Sequence, residues 1–234
     1  MQKKSRVLCI LVSFVMFLSF QSTYAQSVNH WEMVVAAGDT WSYMPGRSEP
    51  PFNWPEPGFE TRFWSVGPGG IGYGDNDDAT VIGNVTSLYM RTDFTIIDTS
   101  DISWAILHVD YDDAFVAFLN GHELARANIG TVGTRPLYNQ TALVDHEAQV
   151  YLGGLPDRFI IHKDTLRKYL TNGVNTLALQ VHNKNATSSD LTSIVYFSIG
   201  MKSPGQTYRQ VPAWFNDPVT EKTNLPVLII NTYN

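Results

Sequence analysis

Apolar and polar residues alternate with a period of two along much of the chain, which is the pattern of a β-strand that buries one face. The pattern is clearest in residues 175–182, where Leu177, Leu179 and Val181 share one face and mostly polar residues occupy the other. The same alternation predicts further strands, at residues 29–37, 87–97, 158–161 and 193–201.

Residues 107–121, LHVDYDDAFVAFLNG, are predicted to organise the fold. Residues 107–110 alternate in character, and the pair Asp112 and Asp113 that follows predicts a tight polar turn. Residues 114–119 are apolar on both faces, which is typical of a strand in the middle of a sandwich. We therefore expect two adjacent strands joined by an acidic turn.

A hairpin is predicted directly after this pair of strands. Asn120 and Gly121 both tolerate a positive φ, which the tightest hairpin turns require. Residues 122–127 then continue as a third strand of the same meander. Such a meander is unstable alone, so the rest of the chain is expected to supply a second sheet.

Two segments depart from the strand pattern. Residues 38–64 contain too many prolines for a helix and predict a long ordered arm, pinned by aromatic side chains. One short helix is predicted at residues 165–170, with Asp164 as its cap. The pinning residues of the arm are Trp41, Trp54, Phe59 and Trp64.

Strands at short intervals with one helix predict an all-β fold, a β-sandwich.

Residues 1–25 have the features of a secretory signal peptide. Three basic residues precede an apolar stretch that is short for a membrane span, and small residues mark a cleavage site after Ala25. We expect a secreted or cell-surface bacterial protein, with no membrane insertion after cleavage. An uncleaved N-terminal anchor is the alternative.

The remaining chain divides into three predicted parts. Residues 28–202 are predicted to form the sandwich, and residues 203–224 a proline-containing linker. Residues 225–234 begin with LPVLIINT, a strand pattern without a neighbouring partner. We interpret it as the first strand of a truncated downstream domain. A terminal strand of the same sandwich is the alternative.

Composition restricts the partners. The only cysteine, Cys9, lies in the signal peptide, so the mature chain has no disulfide and depends on its core. Cleavage lowers Lys and Arg from 16 to 13 against 22 Asp and Glu, which gives a net charge of −9. An acidic chain of this kind argues against nucleic acid or an anionic membrane as a partner.

A metal site is the first candidate for chemistry. Asp75, Asp77 and Asp78 cluster in a glycine-flanked segment, GYGDNDD, and clustered carboxylates are ligands for a hard cation such as calcium. The spacing is not that of an EF-hand. The alternative is a solvated turn in which the Asp side chains bind their own backbone.

A carbohydrate site is the second candidate. If the strand at 175–182 neighbours the one at 107–110, then His108, Asp110, Gln180, His182 and Asn183 form one polar patch. Planar polar groups suit sugar hydroxyls, and an aromatic residue of the arm would support the sugar ring. The alternative is that the last two residues satisfy loop backbone groups.

Catalytic motifs are missing from the sequence. The glycines of GPGGIG match a dinucleotide-binding spacing but are not followed by a helix pattern, and His146-Glu147 has no second histidine of a zinc protease. The sequence has no nucleophile elbow and no phosphate-binding loop. We therefore expect no enzymatic activity in this chain.

From residue 39 to residue 192 the sequence resembles the galactose-binding-like jelly roll of secreted bacterial multidomain proteins. The stretches that carry the resemblance are GYGDNDDATV, SLYMRTDF, LHVDYDDAFVAFLNGHELARANIG, NGVNTLALQVHN and SSDLT. More loosely, it is similar to the sugar-binding domain at the front of some glycoside hydrolases. The tail NLPVLIINT resembles the start of a CotH-type kinase-like domain, which often follows this jelly roll.

The resemblance implies a jelly-roll sandwich and raises the expectation of a structural calcium ion. It supports a non-catalytic module, with either a carbohydrate or the protein's own downstream domain as partner. A docking domain without a ligand is the main alternative, and it predicts that the tryptophans of the arm are buried. A complete hydrolase is a third hypothesis, which would require two facing carboxylates in a deep cleft.

Overall fold

The computed structural model describes residues 28–218. The predicted signal peptide and the predicted strand of a downstream domain therefore lie outside the described residues. The described residues form one helix, α1 Lys163–Tyr169, and thirteen strands. The strands are β1 His30–Val35, β2 Thr40–Pro45, β3 Ser65–Pro68, β4 Ile71–Gly72, β5 Thr80–Val81, β6 Ser87–Ile96, β7 Ile102–Asp112, β8 Ala114–Leu119, β9 His122–Ala127, β10 Asp157–Ile161, β11 Gly173–His182, β12 Thr192–Met201 and β13 Arg209–Gln210.

Two antiparallel sheets form a jelly-roll β-sandwich, which confirms the predicted all-β fold class. The five-stranded sheet has the order β10-β7-β12-β1-β13, and the six-stranded sheet has the order β3-β2-β6-β11-β8-β9. Strands β4 and β5 form a small parallel pair beside them.

The core lies between the two sheets. Leu107 and Val109 of β7 and Leu177, Leu179 and Val181 of β11 are fully buried in one apolar cluster, as their alternation predicts. Each such side chain contributes about 1.5–3 kcal/mol when it leaves water. The residues between them on each strand point away from this core, toward the outer faces of the sandwich.

The predicted meander is half wrong. Strands β7 and β8 are not neighbours, because β7 belongs to the five-stranded sheet and β8 to the six-stranded sheet. The acidic pair is therefore a corner at which the chain crosses the sandwich, where the Asp113 N–H donates to the His182 carbonyl at 3.0 Å. The next turn is a hairpin as predicted, with φ of 51° at Asn120 and 85° at Gly121.

The predicted arm begins later than the sequence indicates, because Thr40–Pro45 is strand β2 of the six-stranded sheet. We call residues 46–64 the arm. The arm covers the outer face of that sheet, where Trp54 packs edge-on against Tyr89 and Phe118. The buried Arg91 guanidinium donates to the backbone carbonyls of Trp54 and Glu56 at 2.7 and 2.9 Å and holds the arm in place.

The five-stranded sheet is covered by the described part of the predicted linker. We call residues 203–218 the C-terminal segment. It adds strand β13 beside β1, and Arg209 forms a bidentate ion pair with Asp39. Trp214 and Phe215 then pack on His108, with ring centroids 5.1 and 5.6 Å away. This part of the chain is packed on the sandwich, in contrast to a free linker.

Helix α1 confirms the predicted helix but not its cap. The helix starts at Lys163, and the side chain of His162 accepts a hydrogen bond from the Asp164 N–H. His162, in place of Asp164, is therefore the N-cap, because the helix begins two residues earlier than its apolar pattern indicates.

Candidate functional site

Three carboxylates from three separate loops converge at one end of the sandwich. Asp75 lies between β4 and β5, Glu147 lies in the long loop after β9, and Asp190 lies two residues before the start of β12. One oxygen from each residue lies within 4.8 Å of the others. We call these residues the carboxylate triad. Sequence reasoning named Asp75 but missed the other two, because no short-range pattern links Glu147 or Asp190 to the acidic segment that contains Asp75.

The loop of Glu147 is held from below by two buried carboxylates at the end of β7. Asp110 accepts hydrogen bonds from the N–H groups of Gln149 and Val150 at 2.7 and 3.0 Å. Asp113 accepts one from the His146 N–H at 2.7 Å. These contacts lie on both sides of Glu147 along the chain, and they hold the loop backbone in place around it.

The other two loops are joined by backbone pairing. Tyr73 and Leu191 exchange two hydrogen bonds of 2.9 Å, which brings the segment before Asp75 beside the segment after Asp190. Gly74 has a φ of 101°, and a Cβ at this position would lie 2.5 Å from the Cβ of Asp190. Glycine is needed here both for its conformation and for this close approach.

The predicted metal residues Asp77 and Asp78 are not members of the triad. Both Asp78 side-chain oxygens are buried without a hydrogen-bond partner among the described residues. Burial raises the pKa of Asp78 to about 7, and the charges of Asp77 and Asp75 add to the effect. Burial also raises the pKa of Asp77, although Thr192 donates to one of its oxygens at 3.4 Å.

The corner residue Asp112 belongs to the same electronegative region. It is 3% exposed, and burial raises its pKa to about 8, with Asp113, Asp190 and Glu147 as further causes in that order. The pKa of Glu147 is also raised, first by burial and then by Asp190. Burial and neighbouring carboxylates therefore stabilise the protonated forms of Asp78, Asp112 and Glu147.

The donor set fits a hard cation. Within residues 28–218, no salt bridge to a Lys, Arg or His compensates the three carboxylates of the triad. The converging atoms are all oxygens, which suits calcium or magnesium and not the nitrogen and sulfur ligands of zinc. Calcium tolerates irregular sets of six to eight oxygens, and this set comes from three irregular loops.

The predicted carbohydrate patch does not assemble. His108 and Asp110 lie on the outer face of the five-stranded sheet, whereas Gln180 and His182 lie on the outer face of the six-stranded sheet. With Asn183, all five residues are 4% exposed or less. The condition for the patch, that the two strands are neighbours, fails because β11 pairs with β6 and β8.

Three of these residues are buried in structural contacts. His182 bonds the Gln140 carbonyl at 2.7 Å, and the Asn183 amide donates to the Asp190 carbonyl at 3.0 Å, as in the alternative interpretation. His108 lies beneath the C-terminal segment. Burial lowers the pKa of both histidines to about 4, so both rings are neutral at pH 7.

Gln180 has a different environment, because it lies at a cleft of about 350 Å³ between the arm and residues 135–137. Its amide donates to the Tyr89 hydroxyl at 3.0 Å and to the Pro136 carbonyl at 3.1 Å. The hydroxyl of Tyr89 in turn donates to a carboxylate oxygen of Glu49 at 3.1 Å. We call this space the arm cleft.

Among residues 28–218, no helix has both the length and the apolar character needed to cross a membrane.

Neither the known family models nor the curated proteins include a match to this chain. Solved structures do match. A calcium-binding mutant of Bacteroides uniformis β-glucuronidase 2 is 13% identical with a TM-score of 0.44, over 73% of this chain and 18% of that chain. Bifidobacterium dentium β-glucuronidase in complex with coumarin-3-O-glucuronide is 15% identical with a TM-score of 0.42, over 68% and 21%.

The β-glucuronidase from Ruminococcus gnavus is 10% identical with a TM-score of 0.43, over 75% of this chain and 30% of that chain. The chain therefore matches between about a fifth and a third of the length of these enzymes.

Proposed function

We propose that this chain is a non-catalytic, carbohydrate-binding module of a secreted bacterial multidomain protein, and that a calcium ion stabilises its loops. Catalysis belongs to a downstream domain, for which the CotH-type kinase-like resemblance of the tail is the candidate. The observation that carries the proposal is the carboxylate triad, with the buried scaffold that positions it.

The triad supports a structural role for the ion. The carboxylates of Asp110 and Asp113 accept hydrogen bonds from backbone N–H groups, and these bonds hold loops in place. The two carboxylates are therefore not free for acid–base chemistry. The carboxylates of the triad remain, two of them exposed and that of Asp190 partly buried, and they repel one another unless a cation lies between them. A bound ion would link Asp75, Glu147 and Asp190 and so fix three loops at the rim of the sandwich.

The carbohydrate part of the proposal rests on two features. One is the resemblance to sugar-binding sandwiches. The other is the arm cleft, an open space with buried polar groups at its base and an aromatic residue at its rim. Sugar sites combine these features, because hydroxyl groups need hydrogen-bond partners while the ring face is apolar.

Thermal unfolding with EDTA, calcium or magnesium tests the ion. A ligand that binds only the native state raises the unfolding midpoint, and at a hundred times its Kd it contributes about 2.7 kcal/mol. We expect calcium to raise the midpoint and EDTA to reverse the effect. The Asp190→Asn and Glu147→Gln variants should lose most of the calcium response.

Asp145→Asn is the matched control, because Asp145 is an exposed carboxylate in the same loop that is not part of the triad. It should keep the calcium response. A response lost equally in the control, or the lack of any calcium response in the wild-type protein, would exclude the proposed ion site.

The second candidate function is a docking domain that positions a downstream catalytic domain and has no ligand of its own. It is favoured by the burial of Trp41 and Trp54, which this hypothesis predicts. The two candidate functions predict different results with sugars, because a docking domain should bind no glycan, with or without calcium.

A further inference from the structure

The arm cleft has the structure of a ligand site with a fixed polar floor. Tyr89 and Gln180 are each 1% exposed, yet both line the cleft. Their hydrogen bonds run from the amide of Gln180 to the hydroxyl of Tyr89 and on to Glu49, whose second carboxylate oxygen accepts from the Tyr138 N–H at 2.7 Å. Packing and hydrogen bonds thus hold the floor in a single arrangement.

The rim of the cleft is apolar and exposed. Phe52 is 76% exposed, although Trp54 of the same arm is buried, and Leu137 on the opposite side is 61% exposed. The guanidinium of Arg135 lies 3.9 Å from the centre of the Phe52 ring and donates to the Phe52 carbonyl. This contact holds an aromatic ring at the edge of the cleft and leaves much of its surface open.

The charges around the cleft favour a neutral ligand. The cleft lining contains one cation, Arg135, and one carboxylate, Glu49, and the charge of Glu56 also acts on the Arg135 guanidinium. The charged groups of the lining therefore balance, and the cleft has no excess positive charge to attract a uronate or any other anionic sugar. Neutral hydroxyl groups can still donate to Glu49 and accept from Arg135.

We infer that the arm cleft binds a neutral sugar unit of a polysaccharide, with Phe52 as the stacking platform and Glu49 and Arg135 as hydrogen-bonding groups. This inference rests on the proposed function, because it assigns the place and the chemistry of carbohydrate binding. Phe52, Glu49 and Arg135 were not among the residues predicted from the sequence, whereas Gln180 was.

Isothermal titration with soluble polysaccharides tests the inference on residues 26–234, with calcium present. The panel contains neutral β-glucan, xylan and galactan, together with polygalacturonate as the anionic arm. We expect the wild-type protein to bind at least one neutral polysaccharide. Phe52→Ala should weaken that binding about tenfold, because it removes the stacking surface without removing buried volume.

Phe63→Ala is the matched control, because Phe63 is an equally exposed phenylalanine of the same arm, at 85%, and does not line the cleft. It should bind as the wild-type protein does, and both variants should keep the wild-type unfolding midpoint. Glycan binding that survives Phe52→Ala, or that weakens equally with Phe63→Ala, would overturn the assigned site and leave the carbohydrate function intact.

Two other outcomes have different meanings. Stronger binding to polygalacturonate than to the neutral polysaccharides would overturn the ligand class inferred here. Silence of the wild-type protein toward the whole panel would overturn both the inference and the carbohydrate function, and would favour the docking domain.

Discussion

The two outer faces of the sandwich are both covered by other segments of the chain, but the covering segments pack differently. Each carries polar side chains, Gln180 and His182 on the six-stranded sheet and His108 and Asp110 on the five-stranded sheet, and each is covered by irregular chain. The arm and residues 135–142 cover the first around the buried Trp54, with Phe59 and Trp64 partly buried against it. The C-terminal segment covers the second with side chains that stay partly exposed.

The two covers also differ in their arginines. Arg91 is buried and donates to carbonyls of the arm, whereas Arg209 is half exposed and pairs with Asp39 near the surface. Buried groups that lose a partner cost far more than exposed ones. The comparison indicates that the arm is part of the core structure and that the C-terminal segment is a weaker attachment.

The largest effect is expected from Trp54→Ala. Trp54 lies at the centre of the arm's cluster and contacts Tyr89, Phe118 and Trp64. Its loss should lower the free energy of unfolding by about 3–5 kcal/mol, as for other buried aromatic residues. Chemical denaturation measures the change, and a loss below about 1 kcal/mol would contradict a core role for the arm.

Arg91→Met is expected to have the second largest effect on stability. It leaves the buried carbonyl of Trp54 and the partly buried carbonyl of Glu56 without their donor and should cost about 2–4 kcal/mol. Arg209→Met is the matched substitution on the other face and should cost less than about 1 kcal/mol, because its ion pair is exposed to solvent. Equal costs in denaturant titration would remove the distinction between the two covers.

Trp214→Ala should destabilise the protein by about 2 kcal/mol, less than Trp54→Ala. Trp214 is only half-buried, but it packs edge-on against His108 and Tyr196. Hydrogen exchange should show faster exchange in β13 and the rest of the C-terminal segment, with little change in the arm. Equal acceleration in both covers would mean that they unfold as one unit.

The smallest expected effect is a dependence of stability on pH, which arises because the C-terminal segment buries His108. The pKa of His108 is lowered to about 4 by burial, and by Arg158 to a lesser degree. The unfolded chain takes up a proton near pH 6.5 while the folded chain does not, so stability falls as the pH drops from 6.5 toward 4.

His108→Gln should therefore lose less stability than the wild-type protein between pH 7 and pH 5, by an amount on the order of 1 kcal/mol. Denaturant titration of both proteins at the two pH values gives the difference, in which the raised pKa values of Asp78 and Asp112 cancel. Parallel loss in both proteins would show that His108 is not kept neutral by its cover.

Local patterns predicted local structure well. The alternation in residues 175–182 and 87–97 predicts strands β11 and β6, and Asn120-Gly121 predicts a hairpin that the structure contains. These predictions depend on neighbouring residues only, through the period of a strand and the φ preferences of a turn. The predicted N-cap of helix α1 was wrong because the ends of a helix depend on single side-chain contacts.

The candidate sites were harder to predict. The acidic segment GYGDNDD contributed Asp75 to the triad, but its partners Glu147 and Asp190 lie 72 and 115 residues further along the chain. No local pattern in the sequence predicts that carboxylates so far apart along the chain lie together. The carbohydrate patch failed for a related reason, since it required β7 and β11 to be neighbours in one sheet.

The sequence by itself determined the class of fold, the positions of most strands and the side chains that each strand buries, because alternation records which face of a strand avoids water. Only the tertiary structure decided which sheet each strand joined, and therefore where Asp112 and Asp113 turn the chain and which carboxylates meet. It also decided that polar outer faces are buried beneath the arm, the long loop after β9 and the C-terminal segment, because a polar residue on a strand shows only that it points away from the core. Whether solvent or another segment covers it depends on residues far away in the chain.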